Sequence, residues 1–452
     1  MNKTANHSKT RLYAYFSLLL TIIMILGTAL PIFADGEPDI KAEAAILIDA
    51  SNGHVLFEKN SAEKKFPAST TKIMTALVTL DAVKNGEISL EQPLTLSEEA
   101  NATLAADGSG IGLKVGEEMK LENLLQGLLI ASGNDAAVCI AEGVAGSIDA
   151  FVERMNKKAA ELKMTNTHFV NPHGLHDPDH YTTAADLATL ARAAMKNETF
   201  RGIVECAHIY LPETNMSDKR YFINTNNLVS RMRYPTYFYD KATGIKTGST
   251  TEAGYCLVAS AEDDGKSVIS VVLKAKDIPQ SHTESKNLLK YGLTGFSLKR
   301  FVQKDDIMGE VTVKQAADGT DHILLASGGS VEALFPKDGD EEKIETKLEI
   351  PEKVYAPITV GQTIGKVTYI YNGHELGSAP LVSTVEIKRH FLGFLMSFGE
   401  WIWKFRTVKI VVFTVLAAAI AFVALVIYGL VRAVKKSKSK KRRSSRYMPP
   451  KY

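Results

Sequence analysis

The chain has 452 residues, enough for two or three domains with cores of their own. Its formal net charge of +2 hides a division: residues 432–452 hold ten Lys and Arg and no acid, residues 1–34 hold three and no acid, and the body between carries 40 basic against 51 acidic side chains, a net of −11. An acidic body excludes a nucleic-acid binder, and the three scattered cysteines (Cys139, Cys206, Cys256) exclude a disulfide framework, so stability must come from core burial.

At the N-terminus Lys3, Lys9 and Arg11 precede an apolar run from Leu12 to Leu30, then Pro31 and the small Ala34. This is the layout of an export signal over residues 1–34, either cleaved after Ala34 or kept as an anchor. AAILIDASNGHVLFEKN (44–60) then sets two alternating apolar runs around Asn52-Gly53, which predicts a β-hairpin. In FPASTTKIMTAL (66–77), Ile73, Met74 and Leu77 recur at helical spacing and predict a core helix with Ser69 and Lys72 in its first turn. A lysine at the start of a core helix is costly unless it is used or paired.

LENLLQGLLIAS (121–132) reads as a helix, breaks at Gly133-Asn134 and resumes as DAAVCIAEGVAG; FVERMNKKAAELKM (151–164) and TTAADLATLARAAM (182–195) read as two more. Strands return near Gly244. CLVASAEDDGKSVISVVLKA (256–275) places two apolar runs around Asp264-Gly265, a second hairpin, and HTESKNLLKYGLTGF (282–296) predicts a closing helix. Strands at both ends of a helical middle predict an α+β domain over 39–297 whose terminal segments share one antiparallel sheet.

From 299 to 388 the texture changes to short strands with Gly, Pro and Asp turns (GEVTVKQ, HILLAS, KIETKLEIP, APITV, KVTYIYNG, LVSTVEI), a small all-β domain without a catalytic constellation. Residues 391–406 hold both tryptophans, Trp401 and Trp403, and predict an interfacial aromatic segment. Ile410 to Val431 is a run of 22 residues without a charge, and at about 1.5 Å per residue it reaches across a bilayer core. The basic 432–452 tail then marks the cytoplasmic side and leaves the body of the chain on the other face of the membrane.

Ser-x-x-Lys occurs at Ser61-Lys64, Ser69-Lys72 and Ser437-Lys440, and only the second opens a core helix. One helical turn puts both side chains on one face. A serine needs a base nearby to become a nucleophile, and a desolvated lysine crowded by other cations gives up its proton readily, so Lys72 can serve Ser69. Ser132-Gly133-Asn134 leaves three polar groups between two apolar helices. Lys246-Thr247-Gly248 precedes the second hairpin. These three motifs together form the set of serine β-lactamases and penicillin-binding proteins, with SGN here in place of SDN.

With FPASTTKIMTAL, GLKVGEEMKLENLLQGLLIASGNDAAVCIAEGVAGS, FVERMNKKAAELKMTNTHFVNPHGLHD and GIKTGSTTEAGYCLVASA in this order, the sequence resembles the low-molecular-weight penicillin-binding proteins, the serine D-alanyl-D-alanine carboxypeptidases. The resemblance covers roughly 39–297, and the β domain and C-terminal membrane attachment resemble the family's layout. It implies a β-lactamase/transpeptidase-like catalytic domain, an acyl-enzyme on Ser69 with Lys72 as base, and Ser132 as proton relay to the leaving D-alanine. It further implies that Asn134 holds Lys72 and the substrate amide, that Lys246 and Thr247 bind the substrate carboxylate within Lys246-Thr247-Gly248, and that the backbone N–H groups of Ser69 and Ser249 form an oxyanion hole. No metal or organic cofactor is implied. The partners implied are peptidoglycan pentapeptide stems, and β-lactams as covalent inhibitors. Two departures stand out: KDIPQSHTESKNLL (276–289) lacks an arginine common thereabouts in the family, and the attachment is a true span instead of an amphipathic helix.

Other readings stay open at this stage. A DD-transpeptidase, endopeptidase or β-lactamase shares the fold and nucleophile, and a degenerate wall-binding scaffold keeps the fold without the reaction. A metallopeptidase would have to use His168, His173, His176 and His180 with Asp177 and Asp179, but no HExxH is present and a polar surface loop is the plainer reading.

Overall fold

The computed structural model describes residues 37–105, 108–389 and 406–444. The expected export signal at 1–34, the aromatic segment at 391–406 up to its last residue, and the end of the tail beyond 444 lie outside the described residues.

The helices, in chain order, are α1 (Lys72–Lys84), α2 (Glu98–Ala102), α3 (Leu121–Ile130), α4 (Asn134–Ala145), α5 (Ile148–Glu161), α6 (Ala184–Ala194), α7 (Glu198–Val204), α8 (Ile278–Gly295) and α9 (Arg406–Ser444). The strands of the first 275 residues are β1 (Ala44–Asp49), β2 (Val55–Lys59), β3 (Pro93–Thr95), β4 (Glu118–Lys120), β5 (His208–Leu211), β6 (Arg220–Ile223), β7 (Ala242–Thr250), β8 (Gly254–Asp263) and β9 (Lys266–Ala275). The predicted sheet is present: β2-β1-β9-β8-β7, antiparallel throughout, with Ile46 opposite Val271 across the join of the two chain ends.

β1 is buried along its whole length because it serves two cores. Ala44, Ile46 and Ile48 face the helices α1 and α3–α6, while Ala45 and Leu47 face α8 through Leu288, Leu289 and Leu293. This is the period of two expected of a strand covered on both faces. Helix starts are set locally: Ser147, Thr183, Asn197 and Asp277 each accept a backbone N–H three residues on, capping α5, α6, α7 and α8.

Several elements differ from expectation. The core helix begins at Lys72, and Ser69 belongs to a preceding 3-10 turn, Ala68–Thr71. The two small ribbons β3–β4 and β5–β6 were not foreseen, being three or four residues per strand with little periodicity to read. APITV forms only an isolated bridge, Ile358 to Ile387, and the strand lies just before it.

Downstream come β10 (Phe296–Val302), β11 (Ile307–Lys314), β12 (His322–Ser327), β13 (Val331–Pro336), β14 (Ile344–Glu349), β15 (Lys353–Tyr355), β16 (Thr363–Tyr371) and β17 (His374–Ser383). The region is all-β, as its sequence texture predicts. By contacts the chain forms two units. The first comprises residues up to Asp306 with Gly329–Glu349 and Lys366–Pro380. It contains the five-stranded sheet, the β10–β13 and β14–β16 pairs, and the bonds that tie Leu334 N–H to Asp49 and Asn52 to the Leu376 carbonyl. The second holds Ile307–Gly328, Ile350–Gly365 and the chain from Leu381 on. Within it β11 pairs antiparallel with β12 and parallel with β15.

α9 contains Ile410–Ala433, 24 residues long and apolar enough to cross a membrane. The helix continues into the basic segment as far as Ser444, since Lys and Arg are good helix formers and no Gly or Pro interrupts 432–444.

Candidate active site

Residues three apart eclipse in a 3-10 turn, so the Ala68–Thr71 turn aligns Ser69 with Lys72. Lys72 Nζ lies 2.9 Å from Ser69 Oγ, 2.7 Å from Asn134 Oδ1 and 2.8 Å from the His173 carbonyl oxygen. The lysine is fully buried. Burial pushes its pKa well below the usual lysine value, and the Lys246 charge pushes the same way against a weaker pull from Asp135. A neutral amine has two N–H bonds and one lone pair. The Asn134 and His173 oxygens only accept, so they take both hydrogens and leave the lone pair to the Ser69 hydroxyl. In this arrangement the amine can take the proton of Ser69.

The turn is held from several sides. Ala68 has φ of 50°, in the left-handed region that a non-glycine residue adopts only when its surroundings enforce it. Its carbonyl accepts from Thr71 Oγ1 at 2.8 Å. His180 Nδ1 accepts the Val170 N–H at 3.2 Å, which puts the ring proton on Nε2, and Nε2 then donates to Thr71 Oγ1 at 2.8 Å. Gly174, at φ of 89°, passes so close that a Cβ there would lie 1.9 Å from the Ala68 oxygen. Behind the turn, Gly248 of β7 brings its backbone against it, with a Cβ position only 2.8 Å from Ser69 N.

A cavity of about 260 Å³ opens over the serine. Its walls include Ser69, Ser132, Thr247, Gly248 and Ser249 from the sequence motifs. Lys246 lies fully buried behind Thr247 and donates to its carbonyl at 2.9 Å; burial lowers its pKa to about 7. Thr247 Oγ1 donates to Thr225 Oγ1 at 2.8 Å. So Ser69, Lys72 and Asn134 are in direct contact, Ser132, Thr247, Gly248 and Ser249 share the cavity, and Lys246 supports it from beneath.

Sequence reasoning missed other residues here. Asp135 accepts the N–H groups of Ile111, Leu113 and Ala136, and so shapes the loop that brings Ser109 into the cavity wall. Asn227, Arg233 and Tyr234 reach the cavity from the long connection before β7, a placement set by the path of a loop without periodicity. Arg233 forms no ion pair among the described residues, and it lines a cavity whose wall contains no carboxylate. Cys256 also lines it, but burial raises the thiol pKa to about 11 and keeps it protonated.

The four histidines of the metallopeptidase reading have other work. His180 braces Thr71, His173 Nδ1 accepts the Leu175 N–H at 3.1 Å, His168 bonds the Asp179 carbonyl at 2.7 Å, and His176 packs edge-on against Phe66 at 4.6 Å.

Burial lowers the pKa of His173 to about 3 and of His54, His180 and His282 to about 4. Folded values below the unfolded one mean that their contribution to stability is complete above pH ~6.5. Between there and about 4 the unfolded chain takes up protons that the folded one refuses, at roughly 1.4 kcal/mol per group per pH unit. Thermal melts should therefore show a steady fall in Tm from pH 6.5 to 4.5. A flat profile would show that these rings titrate normally.

The chain matches the D-alanyl-D-alanine carboxypeptidase family over residues 32–277 and the penicillin-binding protein 5 C-terminal domain over 296–389. It is 35% identical over 393 residues to the D-alanyl-D-alanine carboxypeptidase DacF of Bacillus subtilis, covering 85% of this chain and 98% of that one. It is 30% identical to DacA of Escherichia coli, covering 80% and 88%. Among solved structures, penicillin-binding protein 5 of Haemophilus influenzae superposes with a TM-score of 0.67 at 29% identity, covering 79% of this chain and all of that one. A DD-transpeptidase of Streptomyces K15 superposes with a TM-score of 0.52 at 32% identity, covering 57% and 99%.

Proposed function

The chain belongs to the D-alanyl-D-alanine carboxypeptidase family, and from that premise we propose how its cavity carries out the reaction. The family acts on peptidoglycan stems and binds β-lactams. Ser69 Oγ attacks the carbonyl carbon of the penultimate D-alanine while Lys72 Nζ takes its proton. The backbone N–H groups of Ser69 and Ser249 hold the oxyanion that forms; the close approach of Gly248 to the Ser69 turn supports this pairing. The C–N bond then breaks, the leaving amine receives a proton through Ser132, and D-alanine departs. Water attacks the remaining ester, and Ser69 is regenerated.

The single observation that carries this reading is the contact set of Lys72 Nζ, two obligate acceptors and the Ser69 hydroxyl. The test is D-alanine release from an acyl-Lys-D-Ala-D-Ala peptide by the full chain in detergent, with labelling by a fluorescent penicillin. Labelling without release would favour transpeptidation, for which the likeness to the Streptomyces DD-transpeptidase speaks, and an added amine acceptor would then yield a new peptide product.

Arg233 replaces the missing arginine of 276–289 as the cation for the substrate's terminal carboxylate. Arg233→Gln should raise KM for the peptide about tenfold with little change in kcat, the loss expected when one charge-assisted hydrogen bond in ground and transition state is removed. An unchanged KM would return that role to Lys246 and Thr247 alone.

The apolar part of α9 spans the membrane, with the basic segment on the cytoplasmic side and the cavity on the wall side. Protease added to intact cells should remove the catalytic unit and spare the tail; the reverse result would invert the topology.

A further inference from the structure

The ribbon β5–β6 has an unusual outer face. Its inner residues Ile209 and Leu211 are buried, as alternation requires. Its outer face carries three aromatic rings, His208, Tyr210 and Tyr221, with the aliphatic Ile223 opposite His208. Tyr210 stands directly opposite Tyr221, their rings 4.8 Å apart, and His208 meets Tyr210 edge-on at 5.8 Å and Tyr221 at a tilt at 5.5 Å. Tyr210 is 68% exposed and Tyr221 42%. The strip continues: Tyr221 hydroxyl donates to Met232 Sδ at 3.0 Å, and two residues on, Tyr234 lines the catalytic cavity. Met232 and Tyr234 are themselves about half exposed.

The ribbon is fixed firmly to the cavity. Arg220 at the start of β6 donates to the Ile111 and Gly112 carbonyls and to Glu117 Oε1 at 2.6 Å. Glu117 is fully buried and also accepts from Thr214 and Ser217 in the connection between the strands. Ser109, which lines the cavity, lies on the same 108–117 loop. A surface that needed only solubility would not keep exposed rings on a rigid mount next to a catalytic cavity.

We propose that the strip His208–Tyr210–Tyr221–Met232 is a binding surface for the glycan strand of the wall polymer whose stem peptide occupies the cavity. This inference rests on the carboxypeptidase reading and extends it from the stem terminus to the polymer. A stem seated over Ser69 is attached to a sugar chain that must leave across the cavity rim, and the strip is continuous with that rim at Tyr234. The chemistry fits: amino-sugar rings present apolar C–H faces edged by hydroxyl and amide groups. Tyrosine rings offer flat apolar faces with a polar tip, at little conformational cost. The strip carries no carboxylate or ammonium that a neutral sugar would have to desolvate.

The test compares the full chain in detergent with its Tyr210→Ser/Tyr221→Ser variant on three probes: the acyl-Lys-D-Ala-D-Ala peptide, purified pentapeptide-bearing peptidoglycan, and glycan strands freed of stems by an amidase. Two exposed rings lost from one contact are expected to lower activity on the polymer roughly tenfold. Peptide kcat/KM and Tm should stay as in the wild type, and binding of the stem-free glycan should weaken with the polymer activity. Tyr221→Phe, which keeps the ring and drops the bond to Met232, should behave as the wild type. Equal activity of the double variant on polymer and peptide would overturn the proposal, and so would a parallel loss on both. A wild type that binds stem-bearing but not stem-free strands would assign the strip to peptide instead. If the wild type releases no D-alanine from any substrate, the carboxypeptidase reading fails, and glycan binding by the two forms still decides the strip.

Discussion

Ser69→Ala is expected to abolish both D-alanine release and penicillin labelling, a fall in acylation on the order of 10⁵-fold or more. Other hydroxyls line the same cavity, Ser109, Ser132 and Ser249 among them. Only Ser69 has an amine at 2.9 Å whose remaining contacts are both acceptors. The variant should fold, because the turn is held by Ala68, Thr71, His180 and Gly174, and the serine hydroxyl contributes one contact at its edge. Labelling that survives in a folded variant would move the nucleophile to Ser132 and sink the mechanism. A scaffold without a competent serine would show no labelling in the wild type either.

The second large effect concerns the proton. Lys72→Arg keeps the hydrogen-bond donors but puts a permanent cation, without a lone pair, where a neutral amine stood, and should lose about 10³-fold in acylation, the usual size of a general-base contribution. Because an arginine crowds a fully buried site, Lys72→Met serves as the partner variant of similar length, and melts of both establish that the fold persists. In the wild type, kcat/KM should fall on the acid side as Lys72 becomes protonated. Its pKa lies well below the lysine reference of ~10.4, so the profile should reach its plateau long before pH 10. A rate that keeps climbing to pH 10 would mean that the amine is not desolvated as its burial requires. A variant Lys72→Arg that acylates normally would reduce the lysine to an electrostatic neighbour.

What the sequence revealed depended on how local the cause was. The hairpins at Asn52-Gly53 and Asp264-Gly265 were legible because the turn residues and flanking alternation lie within a few positions. Ser69, Lys72 and Asn134 were legible because each sits at or just before the start of a helix whose apolar pattern fixes its place, and Lys246 because Lys-Thr-Gly stands just ahead of the second hairpin. The 3-10 form of the Ser69 turn was not, since it is imposed by Gly174 and His180 a hundred residues downstream. Arg233 and Tyr234 were invisible for a related reason: a connection without periodicity carries them to the cavity. The outer face of β5–β6 was missed with the ribbon itself, since strands of four residues are too short to show which side chains alternate outward. Helix α9 was plain from composition alone, which tertiary packing does not alter.

The central pairing of β1 with β9 joins the two ends of the catalytic region, with Ala44 opposite Leu273 and Ile48 opposite Ile269. Such long-range closure is slow, and nothing rewards it until the later strand exists. The strand pressed against the nucleophile, β7, hangs on this sheet only through β8 and β9. The reactive serine is thus among the last features to mature as the chain is made, although it is among the first to be synthesised. Capture of a penicillin becomes a clock for completed topology: chains arrested before Lys266 should carry Ser69 and remain unlabelled, and the antibiotic can reach its target only after the protein has finished folding.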